Sequence, residues 1–552
     1  MITAALALFL LGQQAPFTQS IEIRIHNVDV IVTDKDGNAV GGLRRDDFLL
    51  LQDGKAQTIT NFSEYSERAV PVPSAGSGSA APAGDVQPPP QRKIVFFVDD
   101  MTVHPATREK VAKNAAELLA STMREGDDAM VLRPAASVSE KIPLVFSSDR
   151  AAVGAALNRA VASNTYRTDV AFVGEMRRFQ LDARHASSPQ ELRQIARRHA
   201  ARVKRRVELR LQAMRAIIAT LAPLPGRKIL VTVTESLPAE PGKEFFRAGN
   251  KVDNIATASF DNSSGFDTPA DFLRTDWYDF TPAIEELART ASSNGITIYT
   301  LQPEYDLRVS PPGEEVGGEG TDVPLHQVQE AMTNTARTSA ILTGKTGGKS
   351  FVGDARVDDA LHTIARDVQA YYSLAFRASD DVDAPHRIEV RVRNHPEWTV
   401  RARNEVVRKS IKREMNDRVV AALMTTNLPN ELGVAARAGK PAPAKGRGLW
   451  NVDVEVLFPI GRLTLLPEGN VYRGRFTVHY AITGSDADFV SGSDAEQVVE
   501  IPAAEYEKAR TKAWGHTLHL TMQKGDHQIA VGVLDGVGQT SGMATLDVDI
   551  KK

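Results

Sequence analysis

Five consecutive apolar residues, Ile94, Val95, Phe96, Phe97 and Val98, end abruptly at two aspartates, Asp99 and Asp100. A strand with one solvated face alternates apolar and polar residues, so an unbroken run reads as a strand buried on both faces, as in the middle of a parallel sheet. Both carboxylates then stand at its carboxyl end. A helix from about residue 105 to 123 follows, and the later runs GRKILVTVT (226–234) and GITIYTLQ (295–302) each follow a helical stretch. Such alternation predicts a doubly wound, Rossmann-like α/β domain over residues 92–369, with helices on both faces of a mostly parallel sheet. Within it, AMVLRP and KIPLVFS are expected to pair as a hairpin, and Asp149 to start a helix reaching about Ala162.

A chain of 552 residues exceeds what one core supports, and the flanks have a different texture. Residues 17–66 read as a small β module, with Val28, Val30 and Val32 alternating and turns at Asp36-Gly37 and Asp53-Gly54. Residues 67–91, rich in Pro, Gly, Ser and Ala, have linker composition. Residues 171–220 form a basic helical insertion with an apolar stripe near its end, including Leu211, Met214 and Ile218. With few aromatic side chains for base stacking, its arginines read as a solvated helical face and not a nucleic-acid patch. Residues 250–279 read as a polar surface loop. Three strands are expected in 370–408, resembling the first module, and if the two segments share a sheet the α/β domain is an insertion in a sandwich. Residues 409–447 read as a helical segment, ELGVA included, and a second linker, AGKPAPAKGRG; residues 448–552 read as an antiparallel β-sandwich.

Cysteine is absent, which excludes disulfides, thiolate catalysis and cysteine-based metal centres. A net charge of -3 argues against bulk attraction to nucleic acid or anionic membrane. The apolar run at 2–11 has the character of a signal h-region within residues 1–16, so a periplasmic or extracellular location is expected, although its flank lacks Lys or Arg. No later run of about 20 apolar residues follows, and no integral membrane span is expected. TGKTGGKS at 343–350 imitates a phosphate-binding loop, but Thr343 stands where glycine is required, and a helix precedes it and a short strand follows. A helix C-terminal turn accounts for its glycines. No zincin HExxH or hydrolase GxSxG motif occurs. His199, alone in the basic helix, is expected on the solvated surface; His104 and His386, beside prolines, in surface turns; and His516 and His519 on opposite faces of a strand.

The succession KIVFFVDDMTV, GDDAMVL, IPLVFS, SNTYRTDV, LPGRKILVTVTES and NGITIYTLQ resembles a von Willebrand factor A domain. With VIVTDKDGNAVGGLRRDDFLLLQDGKAQTITNF before it and TGGKSF and YYSLAFR after it, the chain resembles bacterial VWFA-related proteins often found in Acidobacteria, over roughly residues 21–404. The wider class holds a divalent cation at the carboxyl edge through Asp-x-Ser-x-Ser after the first strand, a Thr from a second loop and an Asp after a later strand. Such hard oxygen ligands suit Mg²⁺ or Ca²⁺. Aligning Asp99 with the first Asp puts Met101 and Val103 in place of the serines. Thr165 or Thr168 falls at the second loop and Thr234 or Glu235 at the later Asp, while a shifted register of Asp100, Thr102 and His104 recovers one hydroxyl. Alternatively, Asp99 and Asp100 cap the next helix or bond loop amides. The resemblance implies an exported, non-enzymatic, adhesion-type protein that binds a protein or cell-surface ligand at this edge, with or without a cation. An envelope scaffold and a hydrolase with an unrecognised site are the alternatives.

Overall fold

A computed structural model describes residues 25–66, 70–71, 91–133, 146–162, 172–222, 224, 226–246, 278–302, 323, 325–353, 356–377, 381–423, 430–446, 448–483 and 489–550. Residues 1–16, most of 67–91, Thr165, Thr168 and nearly all of 250–279 lie outside them.

The apolar run becomes β1 (Arg92–Val98), flanked in a five-stranded sheet by β2 (Asp128–Leu132) and β3 (Arg227–Val233), with β4 (Ile296–Gln302) and β5 (Ser350–Val352) beyond β3. Every pairing among these five strands is parallel. The helices are α1 (Pro105–Thr122), α2 (Arg150–Ala162), α3 (Phe172–Arg184), α4 (Pro189–Leu221), α5 (Thr281–Ser293), α6 (Leu325–Thr346) and α7 (Val357–Gln369). Ile94, Phe96 and Val98 join a core with α1, α2 and α7, while Val95 and Phe97 join the opposite core with α3 to α6. Burial on both faces is why no polar residue interrupts the run. Of the expected hairpin, Ser147 is described, and it bridges Ala129 antiparallel; residues 134–145 lie outside.

The basic insertion departs from expectation. Its main part is one 33-residue helix, α4, which buries Leu192, Ile195, Val203, Val207 and Leu211 against the sheet. The interspersed arginines hid an apolar face running the length of the helix. After α6, Gly347 adopts a left-handed φ of 79°, and a Cβ at Gly348 would fall 1.8 Å from the Ile298 carbonyl oxygen. TGKTGGKS is therefore a helix-ending turn that brings β5 against β4.

The segments on either side of the α/β domain share two four-stranded sheets. Strand Ile25–Thr33 runs antiparallel to Ala370–Arg377, with Val28 opposite Leu374, and Phe48–Gln52 pairs with Pro385–Val392. Val28, Val30, Leu50, Leu374 and Ile388 fill the space between the sheets. The Tyr372 hydroxyl stitches the module by donating to Val40 O (2.9 Å) and accepting from Leu43 N (3.2 Å). The α/β domain is thus inserted between two halves of a sandwich. Ion pairs cross the junction: Arg401 Nη2 reaches both Asp367 oxygens at 2.7 Å, and Glu405 receives Arg289 at 2.8 Å and Lys345 at 3.3 Å.

Beyond the sandwich, helix α8 (Ile411–Ala422) contributes Val419 and Ala422 to a cluster with Ala216 of α4 and Ala481, Ala530 and Met543. The following residues correct the sequence reading. ELGVA leads through a turn into strand Ala435–Ala438, and Ala442–Pro443 also pairs with Leu449–Pro459. The alanine-rich stretch has helical propensity, but backbone pairing along an open sheet edge overrides it. Two sheets built around Leu449–Pro459 and Val471–Thr483 enclose Val452, Val454, Phe476, Val478, Val531 and Val533. Among the described residues, no helix is long and apolar enough to cross a membrane.

Candidate functional site at the carboxyl edge

The backbone of β1 stays paired one residue past the strand, since Asp99 N donates to Val233 O at 2.9 Å. This places the Asp99 carboxylate in the crevice between β1 and β3, where open α/β sheets usually receive ligands. It is fully buried. Its Oδ2 accepts from Thr102 Oγ1 at 2.7 Å, Thr234 Oγ1 at 3.1 Å and Arg210 Nε at 2.6 Å. Arg210 Nη2 also lies 2.6 Å from Oδ2, without the alignment of a hydrogen bond, and Met101 N donates weakly to Oδ1 at 3.3 Å. Burial alone would raise the Asp99 pKa; the guanidinium charge and the convergent donors outweigh it and hold the carboxyl below its usual range.

The candidate residues therefore divide. Asp99, Thr102 and Thr234 converge, combining the aspartate of one register with the hydroxyl of the other. Asp100 turns instead to Arg133, whose Nη1 lies 2.7 Å away and whose side chain is half exposed. Glu235 is buried. His104 belongs to neither set: its Nδ1 accepts from Ala106 N at 3.2 Å and caps α1. Thr165 and Thr168 lie outside the described residues.

The residue that sequence reasoning missed is Arg210. It belongs to a stripe of His199, Arg202, Arg206 and Arg210, whose spacings of three and four residues lay them along one face of α4. Glu175 of α3 receives the other three, with His199 Nδ1 at 2.7 Å, Arg206 Nη1 at 3.1 Å and Arg202 Nε at 3.3 Å. His199 Nε2 meets Asp182 at 2.9 Å. The solvated position expected for His199 is thus corrected: the ring is fully buried, held between two carboxylates and packed on Phe179 and Phe245. Burial acts to raise the Glu175 pKa, yet the His199 hydrogen bond and the charges of Arg206 and Arg202 bring it below the ordinary value. Beside this row, a cavity of about 10 Å³ between Glu175, Arg206 and Glu244 has room for one water.

These residues do not fit the divalent cation that the family resemblance implies. A cation at Asp99 would find one carboxylate and two hydroxyls, with a guanidinium already 2.6 Å from the shared oxygen. Mg²⁺ and Ca²⁺ require about six or more oxygen donors, and bringing one beside Arg210 would set a divalent ion and a guanidinium against a single carboxylate. Among the described residues, no group of three or more His, Cys, Asp or Glu could hold a metal ion.

No family model matches the chain, and no curated protein matches it. Similar solved structures include the von Willebrand factor domain of the type V pili tip protein Mfa5 from Porphyromonas gingivalis, at 11% identity and a TM-score of 0.24, over 51% of this chain and 96% of that one. The three N-terminal domains of Mfa5 align over 96% of this chain and 78% of theirs, at 8% identity and a TM-score of 0.23. Human COPII-coat protein Sec24c aligns over 60% of this chain and 45% of its own, at 11% identity and a TM-score of 0.22. Likenesses this slight decide neither architecture nor role, which rest on the geometry above.

Proposed function

We propose that this chain is an exported, non-enzymatic binding protein of the adhesion type whose A-type domain works without a bound cation. The observation that carries the reading is the contact between Arg210 and Asp99: the protein supplies from its own helix the positive charge that a metal would bring to this crevice. A buried, one-to-one pair balances its own charge. Recognition then falls to the rim, where half-exposed Arg133 beside Asp100 presents a guanidinium suited to a partner's carboxylate.

Calorimetric titration with Mg²⁺, Ca²⁺ and Mn²⁺ tests this. The unmodified protein is expected to give no saturable heat, and its attachment to cell-surface preparations to survive chelation. Heat saturating near one ion per chain, and lost in Asp99→Ala, would remove the cation-free reading. Cell fractionation tests export, which rests on the apolar run at 2–11. An envelope scaffold is a second reading, supported by the ion pairs Arg401–Asp367 and Arg289–Glu405 that fasten the domains together. Glu405→Ala separates the two, because loosening that tie would disrupt assembly in a scaffold and leave ligand binding at the carboxyl edge unchanged.

A further inference from the structure

The opposite end of the same sheet carries a different arrangement. Along strand Ile25–Thr33, Val28 and Val30 point into the sandwich core, so Asn27 and Asp29 stand on the outer face, with Ser373 opposite Asp29 in the neighbouring strand. That face meets the amino ends of β3 and β4. Between them lies a cavity of about 240 Å³, lined by Asn27, Asp29, Arg227, Thr297, Ser373 and Arg403 among others.

Charge here is unbalanced. Arg227 Nε lies 3.2 Å from Asp29 Oδ2, without the alignment of a hydrogen bond; its Nη1 donates to Asp367 O at 2.9 Å, and its guanidinium stacks 3.9 Å over the Tyr371 ring. Arg227 Nε and Nη2 and Arg403 Nε are buried and donate to no protein acceptor. Arg403 spends Nη1 on Ser292 O at 2.6 Å and Nη2 on Asn27 O, while Lys228 Nζ donates to Ala222 O and Asn294 O at 3.0 Å each. Those carbonyls are dipoles and leave the formal charges standing. Arg227 and Arg403 therefore share one carboxylate, Asp29, and Lys228 lies close enough to Arg403 to feel its charge. Burial pushes the Arg403 guanidinium down to about 10, and burial together with Arg403 pushes Lys228 down to about 8.

We infer that this cavity is a binding site for a small oxyanion, a phosphate or carboxylate group, held by Arg227 and Arg403 with the hydroxyls of Thr297 and Ser373. Guanidinium forks match oxyanions in shape as well as charge, and orphaned buried donors are costly until an acceptor reaches them. A bound anion would bridge the two domains, since Arg403 and Ser373 belong to the sandwich and Arg227 and Thr297 to the α/β domain. This inference is independent of the reading of the carboxyl edge.

Inorganic phosphate and acetate, titrated into the full chain by calorimetry and thermal unfolding, test it against sodium chloride at equal ionic strength. Saturable binding and a rise in melting temperature, with either anion and not with chloride, are expected. Asp29→Asn removes the competing carboxylate and should tighten anion binding about tenfold, whereas Thr297→Val should weaken it about tenfold, as loss of one hydrogen bond to a charged group implies. Arg403→Gln should abolish binding; if that variant fails to fold, the other two still decide the matter. Responses matching those in chloride, or anion affinity unmoved or weakened by Asp29→Asn, would overturn the assignment.

Discussion

The two ends of the parallel sheet make opposite uses of arginine. At the carboxyl edge, Arg210 meets a single carboxylate, Asp99, with Thr102 and Thr234 completing its shell, and the site is closed and neutral. At the amino edge, Arg227 and Arg403 converge on Asp29 beside a cavity, and positive charge remains over. Burial alone therefore does not mark a binding site. The balance of formal charge, together with an adjoining cavity, separates an internal strut from a receptive pocket.

The largest effect is expected from breaking the strut. Arg210→Ala leaves Asp99 buried and uncompensated, and equilibrium denaturation should show a loss of about 3–5 kcal/mol. Replacing both partners with apolar residues of similar volume should recover most of that loss, which distinguishes the orphaned charge from lost packing.

At the amino edge, Lys228 offers a comparison by pH. Its folded value, about 8, lies below the value near 10.4 of an unfolded lysine, so the unfolded chain holds the proton longer between these limits. Stability should rise as pH climbs from about 8 to 10.4, by up to about 3 kcal/mol, and Lys228→Met should flatten that part of the profile.

The sign reverses for Asp99. Its folded value is depressed, so the stabilisation from Arg210 is present above the unfolded value near pH 3.9 and lost as pH falls through the folded one. An Asp99 variant that folds should show a shallower acid limb. The smallest effect separates the donors around that carboxylate: Thr102→Ala, at 2.7 Å, should cost about 2 kcal/mol, and Thr234→Ala, at 3.1 Å, less than that. Equal losses would mean that the hydroxyls act through packing.

Much of the frame was legible from local pattern. The apolar run ending at Asp99 implied a strand buried on both faces, and alternation at Val28, Val30 and Val32 implied a half-buried one; both readings rest on side-chain period, which the residues carry themselves. Thr343 and its neighbours were separable from a phosphate loop because a helix preceded them. Legibility failed where a side chain's partner lay far along the chain. Arg210 pairs across 111 positions, and nothing local distinguishes it from Arg205, which makes its salt bridge with Glu208 three residues away on the helix surface. His199 looked solvated because Glu175, on a different helix, supplies its partner. The strand at Ala435–Ala438 was hidden because an alanine-rich edge strand owes its state to the neighbour that pairs with it.

The sequence by itself determined that a parallel α/β layer exists, that a carboxylate stands at the end of its first strand, and that β modules flank it. These follow from the order and period of apolar residues, which constrain any compact packing of the chain. Only the tertiary structure decided that Asp99 is met by Arg210 from a distant helix, and that Arg227 and Arg403 share one carboxylate at the other edge. Both facts are sums of charge over residues brought together from distant segments, and such a sum is defined only once the chain has folded.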